Sequence, residues 1–412
     1  MEWLVERGHI DSLVATTTIA QGVNFPVTSV VLASHMYPYG EEMPPEDFWN
    51  LAGRAGRADQ MGTGVVALAA NTPQRALLLR NYAARNVSRL NSALVRMVRE
   101  ALERSPVLEL HSLYYLKEWS AFLQYLAHSY RQIDDHAEFS NQIEQVLRGS
   151  FGFQELRQHD RLVANQLVEA VRDYAAIIRG KPLSLVDSTG FSWESVNKAL
   201  AGVGQAGLRA ESWDADSIFS PRDRTLERAF GVLFSIPELR DELIEATGGQ
   251  GPNGDLLARI VKDWVGGASI SDLAESYFSR PGRSSTESIT RACRAVHGRL
   301  TSTASWGISA LQALTAGGAV DDMSDDERKT FRNLPSRVYY GVDSDAAIDL
   351  RLLGVPRNAA QPIADLLAER NEGGIGPLRR AVEGLRADEW ESALGDSGSI
   401  YRRAWRVIEG LE

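Results

Sequence analysis

The sequence predicts an α/β fragment, part of a parallel sheet, followed by a mostly α-helical C-terminal region. Three short, continuous runs of apolar and β-branched residues open the chain, at 13–16, 29–33 and 64–69. Runs that do not alternate read as strands buried on both faces of a parallel sheet. Between the second and third lies a helix start, where Pro44-Pro45 fixes the backbone and Glu46-Asp47 suits the positive end of the helix dipole. Past residue 75 or so, strand signals nearly vanish and helical periodicity takes over.

Helices are expected over 76–103, 112–131, 137–147 and 154–178. Residues 181–215, richer in Gly, Ser and Trp, read as a linker or a small irregular subdomain. A second helical block runs from Pro221 to about Leu314. In it, 256–265 carries a clear apolar stripe, Gly266-Gly267 stops it, and a new helix begins near Ser271. The acidic run 321–327 reads as a solvated helix start and not a metal site, because Ser324 and Glu327 have the spacing of a capping box.

At 412 residues the chain is long enough for two to four domains. Its 44% hydrophobic and 24% charged content is that of a soluble globular protein. No apolar run approaches eighteen residues, so no membrane span is expected. The single cysteine, Cys293, excludes an internal disulfide framework and fits a reducing, cytoplasmic location. With a net charge of −10, the overall field repels nucleic acid, so binding needs a local basic surface. The stretch 75–99 offers Arg75, Arg80, Arg85, Arg89, Arg96 and Arg99 with no acid before Glu100, and Arg85, Arg89 and Arg96 share a helical face. That face is either a nucleic-acid contact or a solvated helix surface.

The chemistry concentrates in two segments. Gly53-Arg54-Ala55-Gly56-Arg57 places two arginines about one helical turn apart on the same side. Two fixed guanidinium forks suit the spread charge of a phosphate, and the glycines allow close approach. Upstream, 15–26 follows a predicted buried strand, at the carboxyl end where α/β sheets place ligands. It carries Thr16, Thr17, Thr18, Gln21, Gly22 and Asn24.

The two segments, in this order and spacing, resemble motifs V and VI of superfamily-2 DExH helicases of the superkiller-like branch. The resemblance implies that Arg54 and Arg57 are arginine fingers toward a γ-phosphate. It places Gly22, Asn24 and Gly53 near the nucleotide, and Thr16, Thr17 and Thr18 near a nucleic-acid backbone. The family carries Gln or His where this chain has Asn50, whose shorter amide reaches less far. Residues 256–310 are similar, more weakly, to the helical region that follows the motor in those enzymes; Trp264 and Trp306 within it read as core anchors. Farther on, 334–342 precedes one helix and 353–357 another. This looks like a helix-hairpin-helix, whose turn aims backbone amides at a phosphate, with Arg357 adding a salt-sensitive contact. A purely structural hairpin fits the same residues. Pro362 is tolerated only if the second helix begins within about four residues before it.

The implied layout is the C-terminal part of a second RecA-like lobe (1–75), a helical region with room for a winged helix, and linker (76–215), a ratchet-like helical domain (216–318) and a hairpin-like C-terminal domain (319–412). ATP and Mg²⁺ are implied only for a complete motor, because neither a Gly-x-x-x-x-Gly-Lys-[Ser/Thr] loop nor a DExH box occurs in the sequence. An arginine finger accelerates hydrolysis only at a site that other groups have built. The expected partners are DNA or RNA and a separate chain carrying the first motor lobe. The layout is also similar to helicase components of phage-defence systems, which implies a phage-defence partner. The competing expectation is a non-enzymatic nucleic-acid adaptor, or an inactive truncation product, retaining a vestigial motor fragment. No zinc-binding Cys or His pair is present, so no metal site is expected.

Overall fold

The computed structural model describes residues 12, 29–34, 43, 48, 65–69, 72–73, 76–77, 93–133, 139–320, 322–368 and 374–411. The chain divides into two units, Met1–Arg96 and Met97–Glu412. In the first, strands β1 (Ser29–Leu32) and β2 (Val65–Leu68) pair in parallel, Ser29 opposite Val65 and Leu32 opposite Leu68. The parallel sheet is therefore present, and a helical region follows it. One part of the expectation changes. Leu32 and Leu68 are buried, but Val31 is 71% and Val65 54% exposed, so the two strands are not buried on both faces. The expected strand at 13–16 lies outside the described residues, as does nearly all of the helix expected after Pro45.

The second unit is built of helices, and local chemistry sets where each one ends. Helices α1 (Ala93–Arg104), which begins just before the unit boundary, α2 (Lys117–Gln132) and α3 (Phe139–Gly149) come first. The expected helix from 112 starts later, because Leu116 is extended (φ −94°, ψ 123°) and α2 begins only after it. The run expected over 154–178 is two helices, α4 (Phe151–His159) and α5 (Arg161–Ile178). Asp160 separates them: its backbone is extended and its carboxylate accepts from Leu162 N and Val163 N at 2.9 and 3.1 Å, capping α5.

Residues 181–215 are not an irregular linker. They hold α6 (Ser184–Thr189) and α7 (Trp193–Ala206), with Val186, Phe191, Val196 and Ala199 fully buried. The Gly and Ser content that suggested irregularity is capping chemistry. Ser192 accepts from Ser195 N at the start of α7, and Gly207 (φ +62°) closes its end.

Next come α8 (Thr225–Leu233), α9 (Pro237–Ala246) and α10 (Gly254–Val265), the last burying its expected apolar stripe. Gly266 ends α10, and Ser269 caps the short α11 (Ile270–Leu273). Helix α12 (Ser285–Ala295) passes into a π-helical stretch, Val296–Ala304, and then into α13 (Ser305–Ala316); the junction residues Val296 and Ser305 are themselves helical. Helix α14 (Asp325–Tyr340) starts with the capping box read from Ser324 and Glu327.

A helix does follow 334–342, from Asp345, but residues 334–340 are themselves helical, the last turns of α14. Pro335 sits inside it and cannot donate to the carbonyl four residues back, Phe331 O. That carbonyl accepts instead from Gln312 Nε2 at 2.9 Å, so α14 continues with its acceptor satisfied. The chain ends in α15 (Asp345–Leu352), α16 (Arg357–Leu367), α17 (Ile375–Gly384), α18 (Ala387–Leu394) and α19 (Gly398–Ile408). These five share one core, including Leu350, Val355, Ile363, Leu378, Trp390 and Trp405. Pro362 is tolerated although α16 begins five residues before it, which leaves one helical carbonyl, that of Asn358, without its donor. No helix among the described residues is long and apolar enough to cross a membrane.

Candidate nucleic-acid interface

The residues from α12 through α13 run on as one long helical element, and its exposed positions include Arg291, Arg294, His297, Gly298, Ser302, Trp306 and Ser309. Gly298, Ser302 and Trp306 recur about once per turn, with small side chains on either side of the tryptophan. Stretches of π-helix are uncommon and concentrate at functional positions.

Trp306 is held by its edge. Its indole N–H donates to Thr189 O at 2.6 Å, and its ring lies 5.6 Å from Phe191, tilted by 50°. Beneath it is Gly190, where a Cβ would come 3.2 Å from the indole nitrogen. The same glycine ends α6 at φ +73°, so one residue serves as helix terminator and as a flat seat for the ring. Sequence reading takes Trp264 and Trp306 alike as core anchors. Trp264 is 2% exposed, but Trp306 is 38% exposed, anchored on one side and open on the other.

Helix α9 braces this element with glutamates on successive turns. Glu245 pairs with Arg299 at 2.6 Å, and Glu242 binds Thr303 Oγ1 at 2.6 Å and Lys117 at 2.5 Å. Burial works to raise the Glu242 carboxyl, but the bonds from Lys117 and Thr303 outweigh it and hold it below the usual range. One turn earlier, buried Glu238 accepts from Ser120 Oγ (2.7 Å), Ser192 N (2.9 Å) and Ser195 Oγ (2.8 Å), tying α9 to α2 and α7. In sequence these acids look like an ordinary solvated face; only the fold reveals their partners.

The hairpin of α15 and α16 turns at Gly354 (φ +77°). Gly354 N and Val355 N donate back to Arg351 O and Leu350 O, both at 3.1 Å, and Trp405 Nε1 donates to Leu353 O at 2.7 Å. Those two turn amides are thus used within the hairpin. The first N–H groups of α16 lack intrahelical acceptors, as at any helix start.

Arg357 carries a task that the sequence did not disclose. Its guanidinium lies 3.6 Å from the centroid of the Trp264 ring. Nε donates to Gly341 O at 2.8 Å, Nη1 to Ala268 O at 3.0 Å, and Nη2 to Trp264 O. Trp264 in turn donates to Val338 O at 2.9 Å and meets the edge of His297 on the π-helical stretch, 5.6 Å between centroids. Burial, and then the neighbouring charge of Arg351, bring the Arg357 guanidinium down to about 10, still cationic at neutral pH. Burial, followed by the Arg357 charge, holds the His297 ring below its ordinary value.

The expected motif residues Thr16, Thr17, Thr18, Gly22, Asn24, Gly53, Arg54 and Arg57, and the basic residues Arg85 and Arg89, all lie outside the described residues. Among the described residues, no group of three or more His, Cys, Asp or Glu side chains is arranged to hold a metal ion.

No protein-family profile matches the chain. Individual proteins do. The Hachiman protein HamB of Bacillus cereus is 29% identical over 157 residues, 36% of this chain and 13% of its own length. The antiviral helicase SKI2 of Saccharomyces cerevisiae is 39% identical over 77 residues, 18% of this chain and 6% of its own. The DExH-box ATP-dependent RNA helicase DExH12 of Arabidopsis thaliana is 35% identical over 88 residues, 20% of this chain and 4% of its own. This chain is helicase-related over part of its length. The match spans only a small fraction of each relative, so the likeness concerns a segment and not a whole enzyme.

Proposed function

We propose that this helicase-related chain acts as the C-terminal part of an ATP-dependent DNA or RNA helicase, and that its long helical element contacts the translocated strand. The observation that carries the strand contact is Trp306: an aromatic ring fixed by Thr189 and Gly190, 38% exposed, on an element lined with small polar residues and arginines. Every base has a π-face, so such a ring accepts a strand without reading its sequence; stacking of this kind contributes roughly 1–3 kcal/mol per base. Arg291, Arg294 and Arg299 lie along the same element of a net acidic chain, Arg291 paired with Glu287 and Arg299 with Glu245. Glu245 and Glu242 hold Arg299 and Thr303 in place, which keeps the Trp306 platform preorganised.

In this reading Arg54 and Arg57 reach toward the γ-phosphate, with Gly22, Asn24 and Gly53 lining the nucleotide side and Thr16, Thr17 and Thr18 the strand side. The motif resemblance and the helicase relatives support these roles. Bound ATP and Mg²⁺ would supply the hydrolysis that drives movement, at a site whose phosphate-cradling half lies outside these 412 residues. Arg85 and Arg89 would add a second basic contact. The yeast relative is named an antiviral helicase, and a defence setting with a dedicated partner is part of the proposal.

The test is fluorescence anisotropy of labelled single-stranded oligonucleotides, DNA and RNA, with the wild-type chain and Trp306→Ala. The reading predicts salt-dependent binding that Trp306→Ala weakens about tenfold or more, in line with the loss of one stacked base. Equal binding by the two proteins would remove Trp306 from the interface.

A further inference from the structure

Arg357 is the residue that sequence reasoning assigns to a phosphate, yet three of its five N–H groups already point at carbonyls. Those carbonyls come from three separate places: the end of α10 (Trp264), the loop after it (Ala268) and the end of α14 (Gly341). One guanidinium face is covered by Trp264 at 3.6 Å. A planar fork is needed to satisfy acceptors in three directions while lying flat on an indole; an ammonium group cannot do both. Gly341 leaves the room for it, since a Cβ there would come 2.5 Å from Arg357 Nε.

The contacts continue past Trp264. Its indole meets His297, on the π-helical stretch that leads directly into the turn bearing Trp306. A continuous chain of packed groups therefore runs from the first residue of α16 to the proposed strand-binding element.

We propose that Arg357 is a positioning residue: it locks the α15–α16 hairpin onto Trp264, and so fixes the hairpin against the strand-bearing element, without touching nucleic acid itself. The effect on strand affinity rests on the function proposed above; the locking does not.

The experiment uses the full chain with Arg357→Met and Arg357→Lys, and two readouts. The first is backbone hydrogen exchange over 345–367, with 184–206 as internal control. The second is affinity for single-stranded oligothymidylate and oligouridylate across a salt series. Loss of a phosphate contact lowers the slope of log affinity against log salt by about one; loss of a positioning contact leaves the slope unchanged. The proposal expects exchange over 345–367 to rise about tenfold in Arg357→Met while the control segment holds. It expects affinity to fall several-fold with an unaltered slope. Arg357→Lys keeps the charge but not the fork, and should reproduce most of both effects; it also stands in if Arg357→Met does not fold. A slope lower by about one with unchanged exchange would overturn the proposal in favour of a direct phosphate ligand. Unchanged exchange and unchanged affinity would overturn it outright. If the wild-type chain binds neither oligonucleotide, the strand-binding function fails, and exchange alone then decides the locking.

Discussion

Gly341 faces Trp264 so closely that a methyl group on its α-carbon would lie 2.3 Å from the indole ring. Its backbone is also left-handed, at φ +65°, which costs an L-residue about 1–2 kcal/mol. Gly341→Ala should therefore destabilise the chain through both strain and overpacking, by roughly 2–4 kcal/mol in urea melts. Gly180 separates the two effects: it has φ +70° with nothing within 4 Å of an added Cβ. Gly180→Ala should cost only about 1 kcal/mol. Equal losses at the two positions would mean that Trp264 gives way and the junction is not tightly packed.

Glu238 is the second test of how the site is supported. Removing its carboxylate leaves the Ser192 N–H and the Ser195 hydroxyl without their acceptor in a buried setting, while the Ser120 hydroxyl keeps only Ser192 Oγ at 2.8 Å. Hydrogen bonds to charged groups are each worth about 1.5–3 kcal/mol, and orphaned donors add to the loss. Glu238→Ala should lower stability by about 3 kcal/mol or more. Glu242→Ala, which loses half-exposed Lys117 and the buried Thr303 hydroxyl, should cost less, about 1–2 kcal/mol. Chemical denaturation of both variants checks the ranking.

A pH effect follows from His297. Burial and the Arg357 charge lower its pKa in the folded chain below the ordinary 6.5. The unfolded chain then binds the proton more readily, so this contribution to stability is complete above about pH 6.5 and is lost as pH falls toward the folded value. His297→Gln should flatten the acid side of the stability profile. In Arg357→Met the His297 pKa should rise, because one of the two causes of its depression is gone; proton NMR of the imidazole against pH measures this directly.

The fold was legible in sequence where periodicity and capping act locally. The apolar stripe of α10, the stop at Gly266-Gly267 and the Ser324–Glu327 capping box each depend on residues within one or two turns. The misreadings share a physical cause. Asp160 looks like any polar residue in a helical run until its carboxylate is seen capping α5, and Ser192 and Gly207 look like linker residues until they bound a buried helix. The segment from Leu334 looks like a lead-in to a helix, but Pro335 is held inside α14, its lost donor replaced by Gln312, twenty-three residues earlier. The candidate site was less legible for the same reason. Whether Trp306 is a core residue or a platform, and whether Arg357 serves a phosphate or three carbonyls, depends on groups far away in sequence: Thr189 for one, Trp264 and Ala268 for the other.

The proposed arginine fingers call for a functional measurement. In a reconstituted motor containing the phosphate-loop lobe, Arg54→Ala and Arg57→Ala should each lower nucleic-acid-stimulated ATP hydrolysis by about a thousandfold or more while leaving strand binding by the helical region intact. Phosphate release assays with and without oligonucleotide read both quantities.

The most direct measurement of the central claim remains strand binding at Trp306. Anisotropy titrations of a single-stranded oligonucleotide with wild-type chain, Trp306→Phe and Trp306→Ala should give a graded series, with Phe retaining most of the affinity and Ala losing about tenfold or more. Identical affinities for all three, or no binding by the wild-type chain at moderate salt, would contradict the account.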